Sequence, residues 1–344
     1  MTADVDLLVV GGGPVGLATG LLAARAGLSC AVMEQRRAPV DKACGEGLMP
    51  GGLAILASLG VDPAGRGFAG IRYLDALGGA SAEARFHGGP GRGVRRTVLA
   101  EALAAAADAA GVKRVTGQVR NVRQHPDRVE AGGITGRYLA AADGLRSTVR
   151  RQYELELPPR ARPRYGLRRH FAAVPWTDLV EVYWAAGAEL YVTPLADQLV
   201  GVAVLTEHRG RPFDHWLAQA PALRERLVGA EPVTPVRGAG PLERNVARRV
   251  VGRVLLVGDA AGYVDALTGE GVAVGLASAQ RLVASVAAGR PQDYEAGWRE
   301  ASRRYRLLTR AMLIAAQRRP VRAAVVPAAR VLPRVFDRLV NALA

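Results

Sequence analysis

Little in this 344-residue chain favours a disulfide framework, a metal site or a membrane span. Its two cysteines, Cys30 and Cys44, stand apart from any Cys/His ligand spacing. That excludes a disulfide scaffold, argues against a structural metal and fits a reducing compartment. No run of about 18 apolar residues is free of charge, so no spanning helix is expected. Met1–Asp6 carries acidic residues and leads straight into an apolar run, without the parts of a signal peptide. The expected location is cytoplasmic. Lysine is almost missing: Lys42 and Lys113 stand against 44 arginines, and the formal net charge is +15. An Ala-, Gly- and Arg-rich chain of this kind can reflect coding bias alone. The charge is nonetheless uneven, because residues 299–344 hold eleven arginines against Glu300 and Asp337. Such a tail suits an anionic membrane surface, a nucleic acid or an acidic partner, and composition does not choose among them. A nucleic-acid partner would be motivated by the charge alone and is not expected. Oligomeric state is not readable.

What the chain does have is apolar content, 49% of its residues, enough to bury one large core or two moderate ones. Asp4–Val10 ends in the unbroken apolar run Leu7–Val10 and reads as a strand of the kind buried on both faces of a parallel sheet. Glycines follow, then a helical stretch over Pro14–Ala26 that ends at Gly27, then a second buried strand over Ser29–Met33 closed by Glu34. This is a β-α-β unit. Pro50–Leu59 and Thr97–Ala110 read as helices, and Gly136–Ala142 as a strand entering a turn at Asp143-Gly144. From about 155 to 245, prolines punctuate β-rich runs such as Leu179–Trp184, Glu189–Thr193 and Leu199–Leu205, which suggests a mostly antiparallel second unit. Val250–Val257 returns to a buried-strand pattern, followed by a long helix over Gly271–Ala288 and an arginine-rich helical tail broken by Pro320, Pro327 and Pro333.

Gly11-Gly12-Gly13-Pro14-Val15-Gly16 satisfies G-x-G-x-x-G between strand and helix. Gly11 permits the tight turn, Gly13 lets backbone approach a pyrophosphate, and Gly16 lets helix and strand pack closely. The helix N-terminus adds free N–H groups and positive dipole for the phosphates. Glu34, eighteen residues after Gly16, is placed to accept hydrogen bonds from ribose hydroxyls. A dinucleotide site follows. A second segment, Leu255 to Gly262, delivers Asp259 at the carboxyl end of a buried strand, the ligand side of an open α/β sheet. It runs on through Leu267-Thr268-Gly269-Glu270-Gly271 into the long helix.

That Gly258-Asp259-Ala260-Ala261 strand end resembles the superfamily of FAD-dependent flavoprotein monooxygenases, flavin halogenases and geranylgeranyl reductases. The resemblance implies that Asp259 holds the ribityl chain of FAD and that Gly269, Glu270, Gly271 and Val272 lie against the isoalloxazine ring. Ala142-Asp143-Gly144-Leu145-Arg146-Ser147-Thr148-Val149-Arg150 is similar to the hydroxylases' A-D-G-x-x-S-x-V-R motif, which there braces the FAD site and meets the pyridine nucleotide. Arg96-Thr97-Val98-Leu99 resembles the family's R-x-x-L helix, whose arginine lies near the FAD phosphates; Arg95 is an equally basic neighbour. Gln35, Arg36 and Val119 complete the cofactor-binding candidates. The implied fold is α/β. A discontinuous Rossmann-like FAD unit takes residues 1–75, 92–153 and 246–290, a smaller antiparallel-sheet substrate unit takes 76–91 and 154–245, and 291–344 form a basic helical region.

Lys42-Ala43-Cys44-Gly45-Glu46-Gly47 resembles the K-x-C-G-G-G/E loop of the geranylgeranyl reductase branch, which runs beside the flavin. By the resemblance Lys42, Cys44 and Gly45 are cofactor contacts; Cys44 also reads as a small buried hydrophobe. Aromatic hydroxylases place histidine where Gly262 stands. The halogenases' W-x-W-x-I-P segment is missing, since Trp176, Trp184, Trp216 and Trp298 are never two apart. With oxygen, reduced FAD hydroxylates an activated ring or epoxidises an alkene; without it, hydride goes to a carbon–carbon double bond. The leading expectation is an NAD(P)H-dependent monooxygenase acting on a hydrophobic aromatic, polyketide or isoprenoid-like molecule. Its closest rival is a reductase of prenyl double bonds, and a rival of another class is a basic FAD-holding binding protein without turnover. No catalytic residue is assignable; His170, Tyr183, Tyr191 and His215 read as structural or solvated. In the tail, Leu332, Phe336, Leu339, Val340 and Leu343 share one helical face ringed by Arg330, Arg334, Arg338 and Asn341. Such a helix can lie on an anionic bilayer or dock on the FAD unit with its arginines in water.

Overall fold

Val5–Val10 is buried at five of its six positions, so it requires neighbours along both edges and over both faces. It lies in parallel between Ile134–Ala141 and Cys30–Glu34, and Val254–Leu256 and Lys113–Thr116 extend the parallel set outward. The computed structural model describes residues 3–36 and 39–344; residues 1, 2, 37 and 38 lie outside it. Two short strands, Val122–Gln124 and Val129–Ala131, add an antiparallel meander to Ile134–Ala141. Helices Pro14–Arg25, Arg96–Ala109 and Gly271–Ala287 pack on this sheet and share its apolar core.

The expected strand over Val250–Val257 is corrected by the structure. Val250–Val251 folds back antiparallel on Val254–Leu256. Gly252, at φ 59°, makes the reversal, and only the second arm joins the parallel set.

A second sheet orders Glu231–Pro232, Tyr165–Ala172, Leu199–Thr206, Ala188–Ala196, Leu179–Ala185, Gly70–Asp75 and Ser81–Arg85. All neighbours are antiparallel except Leu179–Ala185 with Gly70–Asp75. Gly70–Asp75, grouped by sequence with the FAD unit, is hydrogen-bonded here instead. A three-stranded sheet of Gly47–Leu48, Gly91–Gly93 and Arg66–Phe68 stands between the two large ones. Its closeness shows at Gly93, where an added Cβ would lie 1.8 Å from the carbonyl oxygen of Pro194.

Helices Asp293–Gln317, Arg319–Val331 and Pro333–Leu343 complete the chain. Pro320 and Pro333 sit in first turns, where no N–H is lost, whereas Pro327 lies inside its helix and does not end it. The tail docks mainly on the second sheet rather than on the FAD unit: Phe336 and Val340 are buried with Tyr73, Ala84, Val182 and Trp184. Among the described residues no helix is long and apolar enough to cross a membrane.

Candidate cofactor and substrate site

The tip of Val5–Val10 is shaped by steric necessity. Gly11 has φ 109°, and a Cβ there would lie 2.4 Å from the Ala142 carbonyl oxygen. A Cβ on Gly16 would lie 1.8 Å from the Gly11 carbonyl oxygen. Gly13 differs: its φ of −74° suits any residue, and the nearest atom to an added Cβ is Arg96 Nη2 at 3.8 Å. The protein therefore needs no glycine at position 13. A group approaching from outside does.

Beyond Gly13 the first turn of helix Pro14–Arg25 has no side-chain cap, so its N–H groups remain for an anion. Around it stand Arg36, Lys42 and Arg96. Burial above all, then Arg36 and Arg96, push the Lys42 ammonium below its ordinary pKa, against Asp259 and Glu34, which raise it. Arg96 Nε is buried without a partner. Glu34 accepts the Gly12 N–H at 3.0 Å through Oε2 and the Arg36 N–H at 3.1 Å through Oε1. An uncapped helix end, the cations Lys42 and Arg96 without a carboxylate partner among the described residues, and a side-chain-free position fit a pyrophosphate, with Glu34, which also pairs with Arg36 at 3.3 Å, fitting the ribose beside it. Gln35 is exposed at the outer margin, and Val119 packs half-buried on the core near Gly132. No hydrogen bond joins these two to the cluster among the described residues.

The Asp143–Arg150 motif is a brace. Asp143 Oδ2 accepts the N–H groups of Thr148 at 2.7 Å and Val149 at 3.2 Å, and Ser147 Oγ accepts that of Arg150 at 2.9 Å. The capped helix holds Arg150, whose Nη1 donates to the Ala260 carbonyl at 3.2 Å and reaches that of Asp259 at 3.5 Å. Arg249 donates to the Ala261 carbonyl at 3.1 Å. The turn Gly258–Ala261 is thus clamped where it presents Asp259. Burial raises the Asp259 pKa, against Arg96, Lys42 and Arg150, which lower it. Gly258 has φ 62° and would contact Val15 through any Cβ. Gly144, at φ 78°, turns toward Lys42 Nζ, 3.6 Å from an added Cβ.

Helix Gly271–Ala287 starts at the cavity edge, where Gly269, Gly271 and Val272 line the wall and no side chain caps the first turn. Its positive end fits the pyrimidine edge of a flavin, where negative charge collects on reduction. Glu270 is pushed up to about 8 by burial, with Oε2 lacking a partner.

The sequence reading missed what holds the loop 41–49. Glu46, in the left-handed region at φ 59°, accepts the Arg96 N–H at 2.9 Å through Oε1 and meets His170 Nε2 at 2.5 Å through Oε2. Arg168 Nη1 faces His170 Nδ1 at 3.1 Å; since guanidinium only donates, Nδ1 accepts and Nε2–H donates to Glu46. Arg168 also binds Asp41 and the Lys42 carbonyl, and Thr193 Oγ1 donates to the Gly45 carbonyl at 2.9 Å. His170 therefore belongs to the site through Glu46, as a positioning residue. Cys44 Sγ accepts the Glu46 N–H at 3.4 Å inside the same loop. Tyr183 is tied to Glu181 and His215 packs on Trp216, both away from the site. Tyr191 lines the cavity and donates to the Leu267 carbonyl at 3.1 Å.

A cavity of about 390 Å³ starts at Asp259, Arg96 and the Cys44–Met49 loop. It continues between the second sheet and the C-terminal helices, past Phe68, Val182 and Trp184 to Met312, Phe336 and Leu343. Its far wall is anchored by Arg322, which binds Glu189 Oε1 at 2.5 Å; Glu189 also pairs with Arg164, which reaches Asp265 at 3.4 Å. Burial pushes Asp265 up to about 6.

A family model described as FAD binding domain matches residues 4–71 and 92–290. The chain is 30% identical to menaquinone reductase of Mycolicibacterium smegmatis over 331 residues, covering 87% of this chain and 80% of that protein. It is 29% identical to digeranylgeranylglycerophospholipid reductase 1 of Methanothermobacter thermautotrophicus, covering 80% and 75%. The structure of the flavin-dependent brominase Bmp2 aligns with TM-score 0.80 at 17% identity, over 98% of this chain and 93% of that one, a likeness of fold.

Proposed function

We propose that this chain, which belongs to the FAD binding domain family and is an FAD-dependent oxidoreductase, saturates carbon–carbon double bonds in a lipophilic, isoprenoid-bearing substrate. The observation that carries the reading is the cavity. It continues from the flavin-side residues Asp259 and Gly271 into an apolar channel walled by Phe68, Val182, Trp184 and Phe336. A long hydrocarbon chain suits such a channel better than a compact phenol does. The relatives support the reading, since menaquinone and a geranylgeranyl lipid both carry isoprenoid chains.

FAD, when bound and reduced, would supply the hydride, with NAD(P)H as the proposed source of electrons and a solvent-derived proton as the second hydrogen. The chain's own residues bind and orient. Gly13, the uncapped helix end, Lys42 and Arg96 receive the pyrophosphate, Glu34 the ribose and Asp259 the ribityl hydroxyls. The uncapped start of helix Gly271–Ala287 stabilises negative charge on the pyrimidine edge. Glu46 and His170 hold the loop 41–49 at the head of the cavity, and the apolar walls would exclude water from the acceptor carbon.

The order of the two leading readings is thereby reversed relative to sequence alone. Oxygenation remains the second reading, favoured by the Asp143–Arg150 motif. The test is anaerobic turnover of a menaquinone and a geranylgeranyl lipid with NADH or NADPH, read by mass spectrometry. A product that keeps two added hydrogens in its isoprenoid chain after the quinone head has been reoxidised in air supports the proposal, whereas a gain confined to the head as quinol does not. No saturated product, together with one labelled oxygen atom incorporated in air, overturns it in favour of the monooxygenase.

A further inference from the structure

The far end of the cavity is closed by helices Arg319–Val331 and Pro333–Leu343, and this closure is incomplete. Leu332, Val335 and Leu339 line the cavity and are also 54%, 49% and 40% exposed. Residues that face a cavity and solvent together mark its mouth. Val331 beside them is 76% exposed. Isolated exposed apolar side chains are ordinary, but here they are grouped at the rim of an apolar channel.

Charge accompanies the patch. Arg330, Arg334 and Arg338 are exposed and recur every fourth residue, so Arg334 and Arg338 flank Val335 and Leu339. None of the three pairs with a carboxylate among the described residues, and Asp337, the acid on this helix, is engaged by His87 at 3.3 Å. Behind the rim the structure is held firmly: Phe336 and Val340 are buried in the second sheet's cluster, and Arg322 is tied to Glu189. The helix thus offers two faces, one docked and one apolar with a cationic border. Arginines around an apolar strip match anionic headgroups above acyl chains.

We propose that this rim docks on an anionic bilayer leaflet, so that the cavity mouth opens at the lipid surface and takes its substrate from there. The second clause rests on the lipophilic-substrate reading; the first does not, and vesicles without any substrate test it alone.

The experiment is flotation of the FAD-loaded full chain with vesicles of phosphatidylglycerol and phosphatidylcholine, against phosphatidylcholine alone. Binding is expected to the anionic vesicles and to weaken with salt. The combined Arg330→Gln, Arg334→Gln and Arg338→Gln variant should bind about 100-fold more weakly. Leu332→Ser with Val335→Ser and Leu339→Ser should lose at least about tenfold. Retained FAD colour and unchanged melting show that these surface variants fold. Equal binding to both vesicle types, no binding to either, or wild-type binding by both variants overturns the proposal. Light scattering that shows a dimer dissolved by the serine variant, with no vesicle binding, overturns it in favour of a second copy on this face. Vesicle binding without turnover of any lipid leaves the docking intact and removes the function proposed above.

Discussion

Adding one methyl group at Gly13 and, separately, at Gly16 tests where the dinucleotide lies. At Gly16 the new Cβ falls 1.8 Å from the Gly11 carbonyl oxygen and 3.2 Å from Ala142 Cβ. The Gly11 backbone cannot yield easily, because its N–H is bound to the Met33 carbonyl at 2.8 Å. Overpacking of this kind costs roughly 1–3 kcal/mol, so Gly16→Ala should melt lower even as apoprotein. At Gly13 the nearest atom is 3.8 Å away and φ is −74°, so Gly13→Ala should change apoprotein stability by less than ~1 kcal/mol. Its methyl projects toward Arg96, into the space assigned to the pyrophosphate. Displacing that contact should weaken FAD by roughly 1–3 kcal/mol, about 5- to 150-fold in Kd. Isothermal titration of FAD into each apoprotein, with melting curves alongside, reads both quantities. Wild-type FAD affinity in Gly13→Ala, or an equal fall in apoprotein melting for both variants, would refute the reasoning.

Glu34→Ala removes the acceptor of the Gly12 N–H; it should weaken FAD by roughly 1–3 kcal/mol and shrink the FAD-induced rise in melting temperature. Glu46→Gln offers one acceptor where Arg96 N–H and His170 Nε2–H need two. It should lose roughly 1–3 kcal/mol of stability and retain less FAD after gel filtration; a variant indistinguishable from wild type would remove Glu46 from the site. In the apoprotein Glu270 keeps its proton up to about pH 8, whereas the unfolded chain releases it near 4.5. The contribution of Glu270 to stability should therefore be fullest below that lower value and fall as pH rises to the upper one, by up to ~1.4 kcal/mol for each pH step of one crossed. Urea unfolding across this window should show the slope, and Glu270→Gln should flatten it; an unchanged slope would show that Glu270 ionises freely.

The β-α-β unit was legible because its signals are local: an apolar run, obligatory glycines, then a helix. Asp259 and the Asp143–Arg150 motif were legible for the same reason. Each is a short segment whose spacing maps onto one turn and one helix. The hairpin at Gly252 was misread because the apolar run continues on both sides of it. Gly252-Arg253 inside the run was the available signal. The Glu46–His170 contact was not legible at all. It spans 124 residues, and a lone histidine on a β-rich run carries no sign of the loop it will meet. The tail's helical face was readable from periodicity, but periodicity does not say which surface that face covers. The answer lay in the apolar underside of Tyr73, Val182 and Trp184, contributed by two different strands.

Coding bias can supply arginines, but it does not decide where they are buried. Arg150, Arg164, Arg168 and Arg249 are all at most 6% exposed, and each is fixed by oxygen acceptors. Two of them act on one turn. Arg150 takes the carbonyls of Asp259 and Ala260, and Arg249 takes that of Ala261 while stacking 3.7 Å over Trp298. Three successive carbonyls thereby accept arginine N–H groups along the turn that presents Asp259. A lysine at 150 would offer a single compact donor group and could not bridge Leu145 on one side and Ala260 on the other. The planar fork matters here as geometry, not as charge. The opposite holds on the last two helices, where Arg330, Arg334 and Arg338 are exposed and have no carboxylate partner among the described residues. One residue type serves as an internal clamp beside the cofactor cleft and as an unneutralised border at the cavity mouth. The first use stiffens the turn that presents Asp259, and the second leaves exposed positive charge beside the apolar rim.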